Sequence, residues 1–106
     1  MTGLNEVGFL GLSGALVAVG LFGVLTRRNF VLVLIAIEVA MNAAVLNFVY
    51  FAAFAPTASA GLAGQSAAVV LVGFAATEVA VGLAIVLALN RAKGTINVAE
   101  ATELKL

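Results

Sequence analysis

Three long apolar runs, separated by short breaks, set the pattern of the chain. The first covers residues 7–25 and ends at Arg27, Arg28 and Asn29. Its length meets the roughly 20 residues that a helix needs to cross ~30 Å of hydrocarbon. The second covers residues 30–54, long enough to cross with some tilt, and stops at Ala55-Pro56. Proline lacks an N–H and disfavours the helical region for its predecessor. Residues 55–66, APTASAGLAGQS, are small and uncharged and are expected to form a loop. The third run covers residues 67–89. The pattern predicts an all-α membrane protein, a single domain of three transmembrane helices.

After Asn90 the sequence becomes RAKGTINVAEATELKL, which holds five of the ten charges in sixteen residues, with Gly94 as a helix stop. Residues 91–106 are therefore expected to form a polar tail, in water or against a partner.

Composition agrees with a bilayer setting. The 106 residues are 64% hydrophobic and only 9% charged, whereas about a quarter of the residues in a soluble domain are charged. With neither cysteine nor histidine, the chain supplies no thiolate or imidazole ligand, so zinc, iron–sulfur and haem ligation by those groups is excluded, as are disulfides. No metal or cofactor site and no catalytic residue is expected within the chain. The net charge is zero, without an extended basic patch, and nucleic-acid binding has no support.

The basic residues orient the spans. Arg27 and Arg28 fall in the first loop, and Arg91, Lys93 and Lys105 follow the third run; the opposite side has none. By the positive-inside rule the C-terminus is cytoplasmic, or on the corresponding side in an organelle, and the N-terminus is outside. Because the basic pair follows the first apolar run, that run is expected to be a retained helix and not a signal peptide.

Glu38 and Glu78 are the only charges between Arg28 and Arg91. Glu38 lies nine residues beyond Asn29, roughly 13 Å along a helix, and Glu78 lies twelve residues before Asn90, roughly 18 Å from the same side. Both are placed near the midplane, beyond the easy reach of a snorkelling glutamate. A carboxyl at that depth costs free energy and marks a functional site, commonly a proton or ion relay. Whether the two face each other or different neighbours is open. Asn42, at i+4 from Glu38, is on nearly the same face, where its amide can bond the carboxyl or hold a water. Small residues around Glu78, and glycines 8, 11, 14, 20 and 23 of the first run, suit close helix packing. Arg27 and Arg28 taken alone are no more than a topology signal.

The stretches GVLTRRNFVLVLIAIEVAMNAAVLNFV (23–49), GQ (64–65) and ATEVAVGLAIVLALNRAKGTINV (76–98) resemble subunit K of proton-pumping NADH:quinone oxidoreductase, respiratory complex I. The resemblance covers nearly the whole chain. It implies a three-helix, non-redox subunit of the membrane arm, between quinone-proximal and antiporter-like subunits, in a bacterial inner membrane or an organelle membrane. NADH, FMN, iron–sulfur clusters and quinone are then bound by other subunits. The resemblance further implies that Glu38 and Glu78 belong to a polar axis carrying protons or coupling charge, and that Arg27 and Arg28 are associated with activity. Val45 departs from the family pattern, standing where a second polar residue is common after the glutamate.

Other readings are a small subunit of a cation/proton antiporter, a homodimeric multidrug transporter, and a structural linker. The transporter is expected to have four spans and aromatic residues to hold organic cations; this chain has three runs, no Trp and one Tyr. A linker gives no reason for two midplane acids.

Overall fold

Helix α1 (Gly3–Thr26) ends where the apolar run meets Arg27, and helix α2 (Phe30–Ala53) starts three residues later. Asn29 is the cap between them: its Oδ1 accepts hydrogen bonds from the N–H groups of Val31 and Leu32, at 2.9 and 3.4 Å, two of the donors that a helix start leaves without partners. The structure, a computed structural model, describes residues 3–101. Glu103 and Lys105 lie outside the described residues.

The expected loop at residues 55–66 is corrected. Helix α3 (Ala58–Lys93) begins only five residues beyond Ala53. Thr57 caps it through a 3.2 Å bond from the Ala60 N–H to its Oγ1, and Ala58, Ala60 and Ala63 are strong helix formers. The glycines in this stretch serve close packing. A Cβ at Gly64 would lie 2.7 Å from Ala52 Cβ, and one at Gly61 3.0 Å from the Ala52 carbonyl oxygen. At 36 residues, α3 is roughly 54 Å long, well over the ~30 Å of hydrocarbon. It therefore extends beyond the membrane-spanning length at one end or both.

All three helices are long and apolar enough to cross a membrane, so the chain is an integral membrane protein. Helix α2 is central and packs against both α1 and α3, which make at most marginal contact with each other. On the α1 side a Cβ at Gly20 would meet Ala40 Cβ at 2.6 Å and the Ala36 carbonyl oxygen at 2.7 Å. Phe9 stacks on Tyr50 near the other end, with ring centroids 4.3 Å apart. Gly8, Gly11 and Gly14 have open space around them, so only the C-terminal half of the glycine series serves packing within the chain. The molecule measures 55 × 25 × 16 Å, hardly thicker than a single helix of ~10–12 Å. Two broad apolar faces are left for lipid or other chains.

The tail departs from expectation as well. Gly94, at φ +69°, takes the left-handed cap that ends α3. The chain then folds back onto the first loop: the Phe30 N–H donates to the Ile96 carbonyl at 3.0 Å and the Val98 N–H to the Arg28 carbonyl at 2.6 Å, an antiparallel bridge between Asn29 and Asn97. Residues 96–98 thus lie against this chain itself, before the short helix α4 (Val98–Ala101). The clasp gathers Arg27, Arg28, Arg91 and Lys93 at one end of the bundle.

Candidate functional site

Helix α2 is apolar on all sides, so the geometry of its neighbours decides which way its one carboxyl faces. Glu38 is half-buried. It lines a cleft of about 260 Å³ between α2 and α3, with Val31, Leu34, Ile35 and Val39 from its own helix and Val79 and Leu83 from α3. One turn away, the methyls of Leu34 occupy the space that a side chain at Gly82 would need, 2.6 Å from its Cβ position. Gly82 thereby lets α3 approach the flank that carries Glu38. Every other side chain lining the cleft is apolar.

Glu78 belongs to a different face. On α3 the residues turned toward α2 include Ala68, Ala75 and Val86, which are buried, and Val79 in the cleft. Glu78, about 100° around the helix from Val79, is exposed. Phe74, Val81 and Ile85, at i−4, i+3 and i+7, are also exposed, at 65, 54 and 61%. Ala75 and Gly82, at i−3 and i+4, pack toward α2, so the carboxyl sits at the edge of the α2 contact, on the flank away from the Glu38 cleft, and opens onto an exposed apolar stripe. Among the described residues, neither glutamate makes a hydrogen bond or ion pair.

Asn42 is exposed, and no direct hydrogen bond joins it to Glu38 among the described residues. Arg27 and Arg28 are exposed at the clasp, just before α2 and ten or more positions from either acid. They line a recess of about 300 Å³ with Thr26, Asn29, Leu32, Ile96 and Asn97. Two features were not marked by the sequence pattern. The clasp is one; its signal is Thr95 and Asn97 after Gly94, whose side chains accept from the N–H groups of Asn97 and Ala99 as turn residues do. The other is Asn47, whose Oδ1 is enclosed with no hydrogen-bond partner among the described residues, between buried Ala43 and Tyr50.

Residues 8–106 match the family model described as NADH-ubiquinone/plastoquinone oxidoreductase chain 4L. The chain is 43% identical over 100 residues to NADH-quinone oxidoreductase subunit K of Desulfitobacterium hafniense, covering 92% of this chain and 91% of the relative. It is 43% identical over 105 residues to that of Bacillus anthracis, with 99% of each covered, and 41% identical over 97 residues to that of Deinococcus radiodurans, with 92 and 90% covered. Three apolar spans, two acids within them and this full-length similarity agree: the chain belongs to the chain 4L family, whose relatives are named NADH-quinone oxidoreductase subunit K.

Proposed function

We propose that this chain is the subunit K of a proton-pumping NADH:quinone oxidoreductase, and that Glu38 and Glu78 are proton-carrying steps in its membrane arm. One observation carries the reading: the two acids of the membrane-spanning helices look in different directions, Glu38 into the α2–α3 cleft and Glu78 out through an apolar face. A carboxyl exposed to hydrocarbon is costly. Glu78 is accordingly set against a neighbouring subunit of the membrane arm, antiporter-like or quinone-proximal.

The chemistry asked of the chain is proton transfer alone. Electrons pass from NADH to quinone through FMN and iron–sulfur clusters on other subunits, and this non-redox chain has no complete active site. A carboxyl exchanges its proton with a water or a basic group brought within hydrogen-bond reach. Rearrangement of the neighbouring helices alters those surroundings, so protons move from the Glu38 cleft to the Glu78 face through intervening waters. A unit charge crossing 100 mV requires about 2.3 kcal/mol. Two separate stations divide that step without opening a continuous leak. Asn42 beside Glu38 serves to hold a water, and the Arg27–Arg28 end lies on the cytoplasmic side of a bacterial inner membrane.

The alternatives fit less well. An antiporter subunit does not account for full-length similarity to subunit K, and a homodimeric transporter or plain linker does not account for the family. The test is proton pumping by the assembled complex with Glu38→Gln or Glu78→Ala. Each lowers pumping while NADH oxidation by the peripheral arm persists; wild-type pumping in both refutes the relay.

A further inference from the structure

The basic recess at the clasp has chemistry that the proton relay does not use. Arg27 and Arg28 line it with Ile96 and Asn97, and among the described residues neither guanidinium has a carboxylate within ion-pair distance. The N–H groups of Val31 and Leu32 already donate to Asn29, so the charge available there is that of the two guanidinium groups. Guanidinium is planar and bidentate toward phosphate oxygens. We infer that this recess binds the headgroup phosphate of an anionic phospholipid.

Position selects a lipid over a soluble anion or a protein carboxylate. The recess lies at the end of α1 and the start of α2, the depth of the headgroups for a helix that begins its span at Phe30. Its lining includes Leu32, which is 43% exposed, and Ile35, almost one turn deeper, is 54% exposed. An acyl chain descending from a phosphate held by Arg27 and Arg28 thus meets a continuous apolar track. Basic pockets at the cytoplasmic ends of membrane helices hold anionic headgroups in this way. The clasp is needed, because Ile96 and Asn97 are part of the lining.

The test uses the assembled complex in phosphatidylcholine nanodiscs, probed with photoactivatable phosphatidylglycerol or photoactivatable phosphatidylcholine. The wild-type chain is expected to be labelled preferentially by the anionic probe. Arg27→Gln should lower that labelling by roughly fivefold, the contribution of one basic residue near the surface. Arg27→Gln with Arg28→Gln should bring it to the phosphatidylcholine level, whereas the double lysine variant, charged but without the bidentate fork, keeps a reduced preference. Equal labelling by both probes in wild type overturns the inference. Undiminished labelling of the double glutamine variant overturns it too, and competition by inorganic phosphate reassigns the recess to a soluble anion. The two-probe comparison on wild type decides the matter even if the double variant does not assemble.

Discussion

Glu38 and Val79 line one cleft between α2 and α3, and this pairing turns Glu78, the residue before Val79, to the outside. The two acids therefore have different surroundings, Glu38 in a cleft within the chain and Glu78 at its surface.

Cross-linking can read that difference directly. The chain has no cysteine, so a single introduced cysteine carrying a maleimide photo-cross-linker is unique in it. Placed at Glu78, the probe should attach mainly to another membrane-arm subunit; placed at Val79, it should attach mainly within this chain. Equal yields to partners from both positions would contradict the assigned faces.

Helix α1 is held to α2 by the absence of a side chain at Gly20, whose Cβ position is 2.6 Å from Ala40 Cβ and 2.7 Å from backbone oxygen. Backbone cannot move aside as a flexible side chain can. Gly20→Val should therefore cost about 1–3 kcal/mol, the usual range for overpacking, and lower both the yield and the melting temperature of the complex. A fully stable variant would mean that α1 is not seated on Ala36 and Ala40.

The start of α3 depends on Thr57. Removing its Oγ1 by Thr57→Ala should cost about 1 kcal/mol of local stability, seen as roughly fivefold faster amide hydrogen exchange near Ala60. If residues 58–66 exchange at unprotected rates in the wild type, the helix does not begin there.

This stretch shows where the sequence was readable and where it was not. The ends of α1 and α2 were legible because Arg27, Arg28, Asn29 and Pro56 interrupt long apolar runs. Residues 58–66 resembled a loop because glycine, serine and alanine are also loop residues; here the alanines favour helix and Gly61 and Gly64 admit Ala52, a tertiary reason that no local pattern contains. The acids stood out because each is alone in an apolar run. Their directions did not, since helices apolar on every side carry no amphipathic stripe to tell one face from another. The fold-back at Ile96 joins residues more than sixty positions apart and likewise leaves little local mark.

The clasp makes its own prediction. Val98→Pro removes the N–H that donates to the Arg28 carbonyl. A bond of this kind contributes about 0.5–1.5 kcal/mol net, so the Phe30 amide, paired with Ile96, should exchange roughly two- to tenfold faster. Unchanged protection of Phe30 would show that the tail is not held on the first loop.

The central claim, that the two acids carry protons for the complex and not merely for its architecture, is tested most directly by the number of protons pumped per electron in the Glu38→Gln, Glu78→Gln double variant. NADH oxidation with an artificial acceptor serves as the measure of intact assembly. The ratio should fall clearly at preserved acceptor activity; a wild-type ratio would mean that neither acid carries protons.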